Sequence, residues 1–199
     1  MNSLTKLWAE TITPMKNLLI LIILCSIGLN SSFAQKPDDA YQGGIVFYLF
    51  QEGDAGYVAG EMHGLIVATE DQTSFLVKWY NGVNTDVTTG TAIGTGLANT
   101  NAIIASQGGT AGSYAYAAGI CADYSVTEGG VTYDDWFLPS KDELNVIYEN
   151  QTNIGDFSKS YWSSSQYDIT NVWWQYFTNG NQRNSPKSYA DRVRAVRSF

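Results

Sequence analysis

Short apolar runs set between glycines mark the first strands of the chain. Residues 45–50 are β-branched and aromatic, with glycines before them and Gly53 after them, which is typical of a strand. Residues 64–68 have a similar composition and follow after a short gap, so an antiparallel pair is predicted. Residues 81–96 are rich in Gly, Thr and Asn, and this composition predicts a surface loop.

The next segments show helical spacing. Residues 97–106 are predicted to form a short helix that buries Ile103 and Ile104. Residues 114–124 are predicted to form a second helix. Its apolar stripe follows the i, i+3, i+4, i+7 pattern and consists of Ala117, Ile120, Cys121 and Tyr124. This position predicts that the Cys121 thiol is packed in the core and does not act as a nucleophile.

A third helix has the clearest start in the sequence. Ser140 and Glu143 have the spacing of a capping box, and an apolar face continues to about residue 150. Short strands are then predicted at residues 161–165, 172–178 and 192–196. Asn179-Gly180 is a strong tight-turn dipeptide.

Residues 1–34 have the order of a secretory signal. A basic start at Met15-Lys16 precedes an apolar run over residues 18–29, and small residues stand before Gln35. We therefore expect residues 1–34 to be removed by cleavage before Gln35, whether Met1 or Met15 is the start. The mature protein is then secreted, periplasmic or on the cell surface. Lipidation at Cys25 is the alternative, although a leucine precedes it where a small residue is usual.

Length and charge restrict what residues 35–199 can be. A segment of this length predicts a single domain. The whole chain has 11 Lys and Arg against 19 Asp and Glu; residues 1–34 contain two of the basic residues and one acidic residue, so the remainder carries a net charge of −9. Such a charge argues against nucleic acid as a partner. No transmembrane segment is predicted after the signal, and a single cysteine excludes an internal disulfide.

Residues that could support catalysis are few. His63 is the only histidine, so neither a Ser-His pair nor a conventional zinc site is favoured. Asp134-Asp135 and Asp142-Glu143 are carboxylate pairs of the kind that glycosidases use, but Asp142 and Glu143 already have a role at a helix N-terminus. We therefore expect no enzymatic activity.

Calcium is the one cofactor that the sequence leaves open. Hard cations need several oxygen ligands that converge from loops. The carboxylates expected near the sheet loops are Asp134, Asp135 and Asp168, and nearby amides could add oxygens. The same residues are also common turn formers. The expectation is no cofactor, with calcium at these three aspartates as the alternative.

Aromatic residues crowd into the segment from residue 161 to residue 177. The two-residue period of a strand places Trp173 and Phe177 on one face and Trp174 and Tyr176 on the other, and one of these faces must belong to the core. Flat aromatic rings with polar edges suit sugar rings and protein interfaces. The predicted ligand contacts are Trp174, Tyr176, Tyr167, Asn179 and Asn181.

Residues 183–199 are basic in an otherwise acidic chain. We expect these cations to be mainly structural, because a terminal strand must be tied down to hold. Arg194 in particular is expected to form a buried pair with a carboxylate. The expected acidic partners are Asp134, Asp135, Asp142 and Glu143.

Several of these segments, taken in order, resemble the Lcl C-terminal domain family of bacterial extracytoplasmic proteins. The matching stretches are 43–47, 64–68, 89–96, 135–140, 161–164 and 193–197, which together extend over nearly all of residues 42–199. The resemblance implies an α+β, C-type-lectin-like domain with a twisted antiparallel sheet, two or three short helices and long loops. The family pattern implies that Trp173 and Phe177 point inward, which leaves Trp174 and Tyr176 directed outward. The resemblance also implies an adhesive or ligand-binding role, without naming a ligand.

The combined expectation is a secreted, non-enzymatic binding domain that recognises a glycan or a surface protein. The alternative is a structural or assembly module of a cell-envelope or surface complex, in which the aromatic face contacts another protein.

Overall fold

The computed structural model describes residues 35–157 and 159–199. Within them the chain forms three helices and eleven strands, and every strand pair is antiparallel, so the fold is mixed α+β. The helices are α1 (Gly96–Gln107), α2 (Ala117–Ala122) and α3 (Lys141–Ile154). The strands are β1 (Ala40–Tyr41), β2 (Gly44–Leu49), β3 (Gly64–Val67), β4 (Val77–Lys78), β5 (Val126–Glu128), β6 (Val131–Tyr133), β7 (Ser160–Gln166), β8 (Asn171–Tyr176), β9 (Gln182–Pro186), β10 (Ala190–Asp191) and β11 (Val196–Ser198).

A four-stranded sheet has the order β1-β2-β3-β11. The predicted pairing of the first two long apolar runs is confirmed, with Val46 opposite Ile66 and a β-bulge directly after Val46. All four residues of β3 are buried, because β2 and β11 flank it on both edges. This strand is therefore the centre of the sheet, and its apolar sequence reflects burial on both faces.

The last strand lies later in the chain than the sequence predicted. Strand structure was expected at residues 192–196, but β11 is Val196–Ser198 and pairs with β3. The segment just before Val196 still runs beside the same sheet, since the Ala68 amide donates to the Ala195 carbonyl at 2.9 Å. The expected bounds were therefore wrong, although the segment is tied to the core.

A three-stranded sheet has the order β7-β8-β9. Trp174 of β8 lies opposite Trp162 of β7 and opposite Arg183 of β9. The β8–β9 connection contains the predicted Asn179-Gly180 turn, where Gly180 has a φ of 75°. A Cβ at Gly180 would lie 2.4 Å from Cε1 of Tyr148, so the turn needs glycine for its conformation and for its close approach to α3.

Two small two-stranded sheets were not expected from the sequence. β5 pairs with β6 across Gly129-Gly130, where both glycines have positive φ, as type I′ turns require. β4 pairs with β10, which joins two segments that lie far apart in the chain. Such short strands have too little periodicity to be recognised before their partners are known.

Helix α3 begins as the sequence predicted. The Ser140 hydroxyl accepts from the Glu143 amide at 3.2 Å, and the Ser140 amide donates to Glu143 Oε2 at 2.7 Å. Helix α1 also agrees with its prediction to within a residue at each end. Helix α2 is shorter than the predicted 114–124, because its N-cap Tyr116 has extended backbone angles.

Buried tryptophans organise the larger of two hydrophobic clusters. Each donates its indole N–H to a backbone carbonyl: Trp79 to Ser163 at 2.9 Å, Trp162 to Val77 at 2.9 Å and Trp136 to Tyr133 at 3.0 Å. The second cluster packs α3 against β2 and β7. Residues from Gln35 to Phe199 pack as one unit. The predicted signal, with Met15 and Cys25, lies outside the described residues.

Candidate functional site

Strand β8 does not divide into a core face and a solvent face as expected. Val172 is completely buried, although it shares its face with Trp174. Gln175 and Phe177 are buried on the opposite face, where Trp173 is only half-buried. Phe177 is buried as predicted, but Trp173, which was predicted to point inward with it, is half-buried. Trp174 and Tyr176, which were predicted to point outward, are half-buried as well. The prediction of one core face and one solvent face fails because core side chains cover part of each face of β8.

A groove opens where the Trp174 face reaches the edge of the sheet. Its cavity has a volume of about 250 Å³ and is lined by Trp174, Tyr176, Asn179, Asn181 and Arg183. We call it the Trp174 groove. The structure thus brings together four of the five residues predicted as ligand contacts, from β8, the turn after it and β9.

The aromatic wall of the Trp174 groove is held in place by the sheet. Trp174 is half-buried and packs against the tryptophan cluster. The Tyr176 ring meets it edge to face, with ring centres 6.1 Å apart at an interplanar angle of 78°. A ring fixed on one side by the core and on another by a neighbour loses little freedom when a ligand binds.

Polar groups of the turn form the rest of the groove. The Asn179 side-chain oxygen accepts from the Asn181 amide at 3.1 Å, which leaves the NH₂ group of Asn179 free to donate. Among the described residues the Asn181 side chain has no hydrogen-bond partner, and the exposed Arg183 guanidinium has no carboxylate partner. The groove therefore offers three uncommitted polar side chains beside two aromatic rings.

The sequence prediction missed Arg183. Its position opposite Trp174 follows from the register of β8 with β9. β9 has the sequence Gln-Arg-Asn-Ser-Pro, which has no apolar alternation and so was not recognised as a strand. The available signal was the tight turn at Asn179-Gly180, since a hairpin turn requires a returning strand.

Tyr167 does not join the groove. It is an exposed residue whose ring meets the edge of Trp173 at 5.2 Å, and the Lys141 ammonium lies 5.0 Å from the Trp173 ring centre. Trp173 and Trp174 are adjacent in a strand and point to opposite faces. The structure therefore places Tyr167 on the other side of the sheet from the four residues it was grouped with.

The aspartates considered for calcium have other partners. Both carboxylate oxygens of Asp135 accept from Arg197, at 2.6 and 3.0 Å. Asp168 accepts from the amides of Thr170 and Asn171, and hydrogen bonds from Asn171 and Thr170 lower its pKa to about 2. Among residues 35–157 and 159–199 no group of three or more His, Cys, Asp or Glu side chains is placed to hold a metal. The geometry thus gives no support to a site of Asp134, Asp135 and Asp168.

The residues considered for catalysis have structural surroundings. The His63 ring bonds Glu61 at 2.9 Å and the Phe199 carbonyl at 3.0 Å, and the Glu61 bond is the main cause of its raised pKa. Cys121 is fully buried, as expected, and burial raises the pKa of its thiol. Glu143 is also fully buried and bonds backbone amides of its own helix start and of the loop before α1.

The buried arginines are structural, but the partner of Arg194 differs from the prediction. Arg194 pairs with Asp71 at 2.7 Å, and none of the four acidic residues predicted as its partner contacts it. Asp71 lies 123 residues earlier in the chain, so adjacency gave no hint of it. Asp135, which was among the predicted partners, instead holds the neighbouring Arg197.

Within the part of the chain that the structure describes, no helix is both long and apolar enough to cross a bilayer. Comparison with known proteins adds no relative to these observations: no family model matches the chain, and no match is found among curated proteins.

Proposed function

We propose that residues 35–199 form a secreted, non-enzymatic binding domain that recognises a glycan or another surface molecule through the Trp174 groove. The observation that carries this proposal is the junction of Trp174 and Tyr176 with uncommitted amide and guanidinium groups of Asn179, Asn181 and Arg183. An aromatic pair with accessible hydrogen-bonding groups around it has the composition of a recognition site.

A sugar ring fits this composition well. Its C–H face packs on a flat aromatic ring, while its hydroxyls need donors and acceptors around that ring. The groove volume of about 250 Å³ is below the usual range of about 300–1,000 Å³ for enclosed small-molecule pockets. A ligand that contacts it through one ring, with the remainder in solvent, is therefore favoured over an enclosed metabolite.

The order of sequence motifs supports assignment to the Lcl C-terminal domain family, and we propose a C-type-lectin-like fold on that basis. The mixed α+β architecture and the antiparallel sheets are compatible with it. In this assignment the Trp174 groove lies on the sheet and beside a turn.

Replacing Trp174 by alanine is expected to weaken glycan binding at least tenfold, since truncating a central aromatic contact commonly costs about 2 kcal/mol of binding free energy. The measurement is a glycan array on the purified protein, followed by affinity titration of the best glycan. Because Trp174 also packs on the core, the variant is expected to lose about 1–3 kcal/mol of stability while remaining folded.

Tyr167→Ala is the matched control for this experiment. It removes an exposed aromatic ring from the opposite face of the same sheet, so glycan affinity should be unchanged. Arg183→Ala, also exposed, tests the polar side of the groove with little effect on stability. Equal losses of affinity in the Tyr167 and Trp174 variants would reject the Trp174 groove as the binding site.

An assembly role is the second candidate, and the position of β9 favours it. In the described residues β9 is the outer strand of its sheet, so its outward backbone groups have no strand partner. Such an edge can pair with another chain, although Arg183 and Pro186 are of the residue types that limit edge-to-edge pairing. A dilution-resistant oligomer in size-exclusion chromatography that Trp174→Ala dissociates would favour assembly over glycan binding.

Secretion gives a separate prediction. If residues 1–34 are a signal, the protein secreted by a suitable bacterial host should begin at Gln35. Intact-mass measurement of the exported protein tests this directly. Retention of residues 1–34, or a lipid mass on Cys25, would contradict it.

A further inference from the structure

A second aromatic groove lies at the end of α1, formed by residues of three separate segments. Its cavity of about 420 Å³ is larger than the Trp174 groove and falls within the range of small-molecule sites. We call it the tyrosine groove, defined by Tyr80, Tyr114, Tyr116, Lys78, Ser113 and Gly109. None of these residues takes part in the Trp174 groove.

The aromatic walls are fixed by close packing. The Tyr114 and Tyr116 rings meet at an angle of 61° with centres 5.5 Å apart. A Cβ at Gly109 would lie 2.8 Å from the Tyr114 ring, and one at Gly119 would lie 2.3 Å from its Cβ. Two glycines thus let the chain approach the Tyr114 side chain from both sides. The Tyr116 hydroxyl donates to the Gly108 carbonyl at 2.8 Å, which fixes the second ring.

The amides beside the groove are rigid because they bond one another. The Asn81 side chain donates to the Gln107 carbonyl at 2.5 Å, and the Asn81 backbone amide donates to Gln107 Oε1 at 3.0 Å. Asp123 accepts from the amides of Gly112 and Tyr114, at 2.6 and 3.1 Å. The walls are therefore set before any ligand arrives, which reduces the entropy lost on binding.

Several polar groups that line the groove have no such role. In residues 35–157 and 159–199, the hydroxyls of Tyr80, Tyr114 and Ser113 have no hydrogen-bond partner, and neither does the Lys78 ammonium. The side-chain amides of Asn81 and Gln107 beside these groups are, by contrast, hydrogen-bonded. What remains is a set of ring faces whose free donors and acceptors point to a ligand with its own hydroxyls.

The charges around the tyrosine groove favour an uncharged ligand. Lys78 is the single charged residue among the groove's described lining, and it is exposed at the rim. The floor includes the C-terminal end of α1, whose dipole is negative and offsets that positive charge. Neither an anion nor a cation therefore gains much there, whereas a ring with one C–H face and several hydroxyls uses both the tyrosine faces and the free hydroxyls.

We infer that the tyrosine groove is a second ligand site, which takes a pyranose ring of a neutral saccharide. The site is independent of the Trp174 groove, since the two share no residue. A domain with both sites could hold one polysaccharide at two points, and linked sites raise overall affinity without new contacts.

The test uses the purified protein, isotopically labelled, and amide NMR spectra. Methyl α-mannoside, methyl β-galactoside and N-acetylglucosamine are added separately to about 20 mM, which nearly saturates a site with a Kd of about 1 mM. At least one pyranoside is expected to shift the amides of Gly108, Gly109 and Ser113 with saturation. Glycerol, which has hydroxyls but no ring face, should not shift them at the same concentration.

Variants assign the effect to the rings. Tyr114→Ala and Tyr80→Ala should each raise the Kd about tenfold or more, whereas Tyr167→Ala, an exposed residue that lines neither groove, should leave it unchanged. Tyr114 is packed against two glycines, so Tyr114→Ala can fail to fold. In that case the affinity of Tyr80→Ala alone tests the site. Tyr114→Phe keeps the ring face but loses the free hydroxyl, so its affinity should lie between those of the parent protein and Tyr114→Ala.

The outcomes separate this site from the Trp174 groove. Saturable shifts confined to Asn179, Gly180 and Asn181 would overturn the second site and leave the first standing. An absence of saturable shifts with all three pyranosides would overturn it as well, as would shifts produced only by a proline-rich peptide, which aromatic grooves can also bind.

Discussion

Arg194→Lys is expected to lower the free energy of unfolding by about 3 kcal/mol, even though it keeps the charge. Arg194 is 3% exposed, and its guanidinium donates to Asp71, to the Ala68 carbonyl at 3.2 Å and to the Asp156 carbonyl at 3.0 Å. It also lies 4.3 Å from the ring centre of Phe157. A lysine cannot reach these acceptors together, so buried oxygens lose their partners.

Arg183→Lys is the control for this prediction. It makes the same chemical change at an exposed arginine on β9, where a cost within about 0.5 kcal/mol is expected. Urea unfolding of both variants beside the parent protein gives the comparison. If the urea midpoint of Arg194→Lys equals that of the parent protein, the positive charge alone stabilises the fold. The prediction that the planar guanidinium is required would then be wrong.

The second large effect is expected from Glu143, whose stability contribution should depend on pH. Burial raises the pKa of this carboxyl to about 7, although backbone amides of Ser140, Gly96 and Gly94 donate to it and act in the opposite direction. The unfolded chain has the ordinary value of 4.5. Between these two values the folded protein therefore binds more protons than the unfolded chain does.

The sign of the pH dependence follows from that difference. The free energy of unfolding should fall as pH rises from about 4.5 to about 7, by an amount on the order of 3 kcal/mol. Glu143→Gln should remove this slope. It should also cost about 1–3 kcal/mol at low pH, because an amide NH₂ would then face the Ser140 N–H that now donates to Oε2.

Denaturant unfolding at several pH values between 4.5 and 7 measures both effects. Burial also raises the pKa of Asp191, but that group titrates in both proteins, so the difference between the two curves isolates Glu143. Asp142→Asn changes the adjacent, more exposed acid and should keep most of the slope, because the Asp142 charge makes the smallest contribution to the raised pKa of Glu143. Parallel curves for the parent protein and Glu143→Gln would contradict the prediction.

Local sequence patterns predicted the parts of the fold that depend on neighbouring residues. The capping box at Ser140, the span of α1 and the pairing of β2 with β3 are examples, since each is determined by spacing or by a short connection. The Asn179-Gly180 turn belongs with them. Because this turn follows directly after β8, the sequence alone places Asn179 and Asn181 near Trp174.

Features that depend on distant segments could not be predicted in the same way. Asp71 meets Arg194 only because β3 and the C-terminal segment lie side by side. The tyrosine groove likewise joins the segment after β4 to the segment before α2. The side of the sheet on which Tyr167 lies depends on a loop that reverses the chain after β7, and a two-residue period cannot follow a chain through such a loop.

The position of β11 has a consequence for how the chain folds. β3 obtains its second partner only when Val196–Ser198 are available, and Phe199 then exchanges backbone hydrogen bonds with Gly64 at 3.1 and 3.3 Å. This contact must close a loop that includes most of the domain, which makes the contact order high and folding slow. A growing polypeptide therefore cannot complete its central sheet until synthesis has passed these last residues. If the protein is exported as proposed, that delay favours the unfolded form that an export channel accepts.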